Sequence, residues 1–299
     1  MKSIFIKYEA TVPIRVDKFL ASELEDYTRS QIQDLMEREK IFVNEKVVKP
    51  SLLLKSGDLV EVTEEEVISS DVVPENIPLD IYYEDQDLLI VNKPTGMVVH
   101  PAVGHFTGTL VNALMFHCKD LSGINGVARA GIVHRIDKDT SGLLVVCKND
   151  LSHKDISKQL AEKTVTRKYL AIVHGVVSHN YGKVDAPLGR NPNLRQQMAV
   201  VEGGKHAVTH FKVLERYQNH TLLELMLETG RTHQIRVHMN YIGFPVVGDP
   251  TYGPRKAIGE TGQFLHAMTL GFVHPRTKEY VEFSAPLPDY FLKFLESIK

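Results

Sequence analysis

The sequence predicts an α+β protein: a mixed, mostly antiparallel central sheet with flanking helices, preceded by a small α/β module over residues 13–62. Two observations carry this. Helical spacing of apolar residues is concentrated near the N-terminus, whereas short β-prone runs dominate from residue 81 onward, with few helices among them. Those runs follow one another through short connections, which suits antiparallel pairing with helices set beside the sheet.

In the N-terminal module, RVDKFLASELE puts Val16, Phe19, Leu20 and Leu24 on one helical face. TRSQIQDLMEREK predicts a second helix, with Thr28 and Ser30 as candidate caps and Ile32, Leu35 and Met36 facing inward. IFVNEKVVKP reads as two short strands around an Asn-Glu turn, and SLLLKSGDLVEV closes the module through a Gly57-Asp58 turn. Residues 63–80 (TEEEVISSDVVPENIPLD) are acidic with two prolines, and predict a linker that buries little apolar surface. Beyond it, DLLIVNKP, IVHR, GLLVVCK, RKYLAIVHGVV, HAVTHFKVLERY and HTLLELMLE predict strands. DLSHKDISKQLAEKT predicts a helix, and TGRTHQIRVHMNYIG another, entered at Thr229 or Thr232 and stopped at Gly243.

With 43% hydrophobic and 24% charged residues the composition is that of a globular protein. No apolar run approaches the roughly 18–20 residues that span a bilayer, and the start lacks a signal-peptide pattern. Only Cys118 and Cys147 are present, which predicts reduced thiols and a cytoplasmic setting. The net charge of −2 conceals an asymmetry. Residues 61–87 hold ten Asp or Glu and no Lys or Arg, while residues 88–299 hold 25 Lys plus Arg against 17 Asp plus Glu, a balance of +8. A basic body of this kind can meet a phosphate backbone, and an unevenly charged solvated surface gives the same count.

The stretch GIVHRIDKDTSGLLVV, residues 131–146, sets Arg135, Asp137, Lys138 and Asp139 between two apolar runs. In an extended segment Arg135 and Asp137 share one face, His134 and Ile136 the other. A carboxylate in a poorly hydrated place takes up a proton unless a cation holds it ionised. Arg135, Lys138 and Arg236 are the candidate cations for Asp137, with Arg favoured as a permanent bidentate partner. By chemistry alone Asp137 could equally be structural, ordering the turn through Thr140 and Ser141.

GIVHRIDKDTSGLLVVCKND resembles the HRLDxxTSGLxxxAK signature of the RluA/RluD family of pseudouridine synthases. LLIVNKPTGMVVHPAVGH (88–105), TRKYLAIVHG (166–175), LETGRTHQIRVHM (227–239) and GDPTYG (248–253) resemble the family's other motifs, in order, across 81–299. Ile136 stands where the family commonly has Leu, and Ala130 where many relatives have Pro. The N-terminal module resembles the S4 RNA-binding domain through Arg15, Asp17, Lys18, Phe19, Leu20, Arg29, Ser30, Val43-Asn44 and Gly57-Asp58. The resemblance implies the pseudouridine synthase fold and isomerisation of uridine, with Asp137 as the obligatory carboxylate, Arg236 as its basic partner and Tyr169 as the active-site tyrosine. Arg135, with His134 beside it, matches the place of a wedge that fills the gap left by a flipped-out base, and Ile235 and Val237 line either the base pocket or the core face of their helix. Arg15, Lys18, Arg29 and Arg38 are the implied RNA contacts of the S4-like module.

The implied partner is large-subunit ribosomal RNA, free or within an assembling particle, and the protein is expected to act as a monomer without membrane contact. The same chemistry on transfer RNA and a non-catalytic assembly factor are the alternatives. No cofactor is expected for an isomerisation that reuses its own base, and no metal, since His233 and His238 are five apart and the two Cys are distant. HRID lacks the companion motifs of a kinase. A retaining glycosidase would need a second carboxyl about 5 Å from the first, and Asp139 sits in the turn.

Overall fold

The computed structural model describes residues 2–24, 29–64, 72–101, 105–194, 197–254 and 262–299. The chain divides into two compact units, Met1–Ser70 and Asp71–Lys299.

The first unit contains β1 (Lys2–Lys7), β2 (Ile14–Arg15), α1 (Val16–Glu23), α2 (Arg29–Glu37), β3 (Ile41–Val43), β4 (Lys46–Val47), β5 (Leu53–Leu54) and β6 (Leu59–Glu64). Val16, Phe19, Leu20, Ile32 and Met36 are buried in one core, as their spacing requires, and Leu24 and Leu35 pack against it. Asn44 and Glu45 both adopt left-handed backbone between β3 and β4, the geometry that matches the twist of a two-residue hairpin. The sheet runs β1-β6-β3-β4, so the unit reaches upstream of residue 13 and takes in the N-terminal strand. Thr28 lies outside the described residues, as do the side chains of Ser30 and Arg29.

The second unit contains β7 (Asp80–Glu84), β8 (Leu88–Lys93), α3 (Leu110–His117), β9 (Ser141–Cys147), α4 (Asp150–Ala161), β10 (Thr166–His174), β11 (Tyr181–Asp185), β12 (Leu188–Arg190), β13 (Met198–Val200), β14 (Val208–Arg216), β15 (His220–Leu227), α5 (Gln234–Tyr241), β16 (Leu265–Val273), β17 (Tyr280–Ser284) and α6 (Asp289–Ser297). Among the described residues the main sheet has nine strands, ordered β11-β14-β15-β10-β16-β9-β8-β7 with β17 beside β16. Among the described strands of this sheet only the β9–β16 pairing is parallel. It joins β7–β9 to the larger antiparallel half, so the sheet is mixed and mostly antiparallel, the one parallel pair joining strands far apart in sequence.

Two expectations need correction. The acidic stretch 63–80 is not wholly a linker. Val72 is buried in the main core, the Glu75 carboxylate accepts from the Gly108 N–H, and Asn112 Nδ2 donates to the Val73 carbonyl. Glu75 thus serves as a local acceptor while Val72 finds apolar cover. IVHR is not a strand either: only the Ile132–Val146 bridge forms. Beyond it the chain leaves the ladder, and His134 Nε2 takes the Val145 N–H at 3.1 Å, replacing a backbone carbonyl with an imidazole. The departure frees the backbone that follows to turn over the sheet at Asp137.

Gly142, at the start of β9, shows how closely the central strands meet. Its φ is +119°, and a Cβ there would lie 2.3 Å from the Ala267 carbonyl oxygen of β16. Gly142→Ala is expected to lower stability by about 3 kcal/mol, combining overpacking with backbone strain. The urea midpoint measures it, and an unchanged midpoint would contradict the tight β9–β16 contact.

Candidate active site

The turn before β9, the strand β10 and the helix α5 converge on a cleft of about 520 Å³ lined by Arg135, Asp137, Arg167, Tyr169, Ile235 and Arg236, among others. That volume is in the range of small-ligand sites.

Helix α5 is placed by its own faces. Its first residue, Gln234, accepts at Oε1 from the Thr229 hydroxyl and the Arg231 N–H, and donates through Nε2 to the Val208 carbonyl and the Thr209 hydroxyl. One turn on, His238 bonds to the Thr209 hydroxyl and the Ala186 carbonyl. Ile235 and Met239, four apart, enter the main core, and Val237 enters a separate small cluster with Leu188 and Ala207. The helix begins later than Thr229 or Thr232 because Thr229 is engaged with Gln234 and His233 occupies the N-cap with a left-handed φ of 55°. It ends before Gly243 as predicted.

This packing leaves Arg236 aimed at two carboxylates. Its Nη1 donates to Asp137 Oδ2 at 2.9 Å. Its Nε and Nη2 donate to Asp249 Oδ2 at 2.7 Å and Oδ1 at 2.8 Å, a bidentate fork. The guanidinium lies 5.1 Å from the ring centroid of Tyr252. Burial works against its charge, but Asp249 and then Asp137 outweigh this and hold it firmly protonated. Asp249 has no exposed side-chain surface and also accepts from the Thr251 and Tyr252 N–H groups. It is therefore saturated and serves as the fixed counter-charge. Asp137 differs: its side chain keeps 17% exposure. Among the described residues only its Oδ2 is hydrogen-bonded, so Oδ1 is left to the cleft. The guanidinium that pairs with Asp137 is thus that of Arg236, while Arg135 and Lys138 are exposed.

Tyr169, on β10, is buried in the main core and lines the cleft. Burial raises its pKa, Arg167 opposing and Asp137 adding to the effect, so its hydroxyl is neutral. His134 is pushed down to about 3, by burial first and then by Arg167, and its Nε2 already serves Val145. The neutral ring is thus tied through Nε2 to the backbone of β9 while it lines the cleft. Of the two places open to Ile235 and Val237, Ile235 lines the cleft, whereas Val237 takes the core face with Leu188 and Ala207. In the first unit Lys18 and Arg38 are exposed. Arg15 is partly engaged, forking onto buried Asp17 through Nε and Nη2 at 3.0 Å each.

Sequence reasoning missed Asp249, Tyr252 and Lys93. The first two lie in GDPTYG, whose Asp-Pro-Thr turn was a visible signal without an assignable role. Lys93 is fully buried and its ammonium donates to the carbonyls of Pro94 (2.7 Å), Met97 (2.8 Å) and Lys138 (2.9 Å). It ties the NKPTGM turn to the residue after Asp137, and burial pushes its pKa down to about 7 against the pull of Asp139 and Asp137. Two clusters of metal-ligating side chain types lie on other parts of this unit, Glu84–His117–Cys118 and Asp85–Asp87–His274. In the second, Asp87 is already forked by Arg276, and in the first, Glu84 is held by His117 and Lys148.

A partly exposed carboxylate paired with a buried arginine, in a cleft shared with a neutral tyrosine and edged with further arginines, has the make-up of an enzyme active site that can receive an anionic ligand. Residues 87–241 match the family described as RNA pseudouridylate synthase, and residues 14–60 match the S4 domain. The chain is 61% identical over 285 residues to an uncharacterized RNA pseudouridine synthase of Bacillus subtilis, YlyB, covering 95% of this chain and 94% of that one. It is 46% identical over 309 residues to ribosomal large subunit pseudouridine synthase D of Neisseria meningitidis, covering 97% and 81%. Among solved structures, human RNA pseudouridylate synthase domain containing 1 superposes with a TM-score of 0.58 at 26% identity, over 75% of this chain and 96% of that one. The chain belongs to the RNA pseudouridylate synthase family and is an isomerase acting on RNA, with an S4 domain at its N-terminus. No helix among the described residues is long and apolar enough to cross a membrane.

Proposed function

We propose that this enzyme converts uridines of large-subunit ribosomal RNA to pseudouridine, with Asp137 as the catalytic carboxylate, Arg236 as its paired cation, and Tyr169 as the base platform. The observation that carries the reading is the Asp137–Arg236 contact at 2.9 Å, with Asp137 Oδ1 left to the cleft. In this reaction the N1–C1′ bond breaks, the base rotates, and C5 bonds to C1′. Asp137 supplies a negative oxygen beside the electron-poor C1′. Tyr169 offers a flat face to the uracil and a hydroxyl for proton transfer. Arg135, exposed at the edge of the cleft, stacks in the gap that the extruded base leaves, offsetting part of the unstacking cost.

Ribosomal RNA is favoured over transfer RNA for two reasons. The Neisseria relative, 46% identical across nearly the whole chain, is named for the ribosomal large subunit. The S4 domain adds a second RNA-facing surface, with exposed Lys18 and Arg38. Such a substrate puts the enzyme in the cytoplasm, acting as a monomer on free RNA or on an assembling subunit.

Tritium release from [5-³H]uridine in unmodified 23S-type RNA, with transfer RNA in parallel, tests the substrate. Faster release from the ribosomal RNA is the expected result. Preferential release from transfer RNA would overturn the substrate assignment while leaving the chemistry intact.

A further inference from the structure

One cation of the cleft has no function in the reaction as described. Arg167 stands on β10 two residues before Tyr169, and both side chains line the cleft, each 7% exposed. Its guanidinium rests against Gly230, where a Cβ would come within 2.8 Å of Nη1, so the bare α-carbon there makes room for it. Its Nε is buried without a hydrogen-bond partner. Among the described residues no carboxylate pairs with it: Asp137 is held by Arg236, and Glu228 by His210 and Lys163. His134, the ring whose titration it affects, is neutral.

An enclosed arginine without counter-charge is costly, and such a group marks a place where a ligand brings the anion. Two oxyanions of the substrate could do so: a backbone phosphate, or the uracil itself after the glycosidic bond has broken. Position favours the second. Arg129, Arg135 and Arg231 are exposed at the edge, where a hydrated polyanion passes, whereas Arg167 is enclosed beside the tyrosine on which the base rests.

We infer that Arg167 is a further catalytic residue, the cation that stabilises the detached uracil anion; this rests on the reaction proposed above. When N1–C1′ breaks, its electron pair leaves with the base, and the negative charge spreads from N1 onto O2 and O4. The planar guanidinium, already oriented and desolvated, donates N–H bonds to a carbonyl oxygen of that anion as its charge grows. The anion then turns, C5 forms the new bond to C1′, the C5 proton is lost and N1 gains one, so the base ends neutral and Arg167 is left as it began. Burial lowers the basicity of Arg167, yet a guanidinium remains charged, which suits a group that must answer a transient anion without giving up a proton.

The test compares wild type, Arg167→Met and Arg167→Lys in single turnover at saturating RNA, with uridine or 5-fluorouridine at the target. After nuclease digestion and chromatography of the nucleosides, uridine RNA is scored by pseudouridine formed, and the fluorinated RNA, whose C5 has no proton to lose, by 5-fluorouridine consumed. Fluorine makes the departing base a more stable anion and lessens its need for the cation. On uridine, Arg167→Met is expected to be slower by about 100-fold, with Arg167→Lys intermediate. RNA affinity is expected to stay within about threefold, a shift of well under 1.4 kcal/mol. On 5-fluorouridine the deficit of each variant relative to wild type is expected to shrink by about tenfold or more. An equal deficit on both RNAs would reduce Arg167 to a packing role, and weakened RNA binding with an unchanged saturated rate would make it a phosphate contact; either overturns the inference. Should Arg167→Met fail to fold, Arg167→Lys carries the same comparison. A wild-type enzyme inert on uridine refutes the proposed reaction itself, whereas active wild type with an undiminished Arg167→Met refutes only this role.

Discussion

Asp137→Asn is expected to abolish tritium release, by about 10⁴-fold or more, while RNA binding survives. The amide keeps the shape of the carboxylate and removes the negative charge that the proposed reaction uses. The variant should also fold. Arg236 retains its bidentate bond to Asp249, so no buried cation is stranded, and Asp137 is partly solvated. A stability loss of no more than about 1 kcal/mol is the expected cost of losing one hydrogen bond to a charged group in such a setting. Residual turnover within tenfold of wild type would remove Asp137 from the chemistry.

Asp249→Asn has the opposite signature. It strips the saturated counter-charge from Arg236 and points an amide N–H₂ toward a guanidinium that can only donate. Breaking a buried pair on one side costs about 3–5 kcal/mol, so the urea midpoint should fall markedly. Turnover should fall by about 100-fold as well, because Arg236 loses the clamp that fixes where Asp137 Oδ1 stands. The two variants separate the roles of the carboxylates that share one arginine: Asp137 affects rate with little change in stability, and Asp249 affects both. A destabilised Asp249→Asn with full turnover would show that the fork matters for packing alone.

How much of this was legible in the chain follows from the range of each interaction. Val16, Phe19 and Leu20 announced their helix because helical spacing is local, and the Asn-Glu hairpin and the Gly243 stop were local for the same reason. The IVHR strand failed because its pairing partner is withheld by tertiary structure: an imidazole, not a carbonyl, meets the Val145 N–H. The acidic stretch before β7 looked solvated by composition, yet Val72 is buried and Glu75 is an acceptor for the backbone at Gly108. The bond from the Val145 N–H to His134 Nε2 likewise had no signal in the linear order.

The sequence by itself determined the class of chemistry. An ordered set of motifs places Asp137, Tyr169 and Arg236 in the chain, and an Asp beside apolar runs demands a cation somewhere. Only the tertiary structure decided which cation. Asp137 and Arg236 are 99 residues apart and meet because α5 is fixed from three sides. Asp249 lies 13 residues further on and comes back under the same guanidinium. The tertiary structure also singled out Arg167, whose significance lies in an unanswered charge. Charge compensation, unlike periodicity, is a property of the space around a group, and that space is assembled from segments the linear order keeps apart.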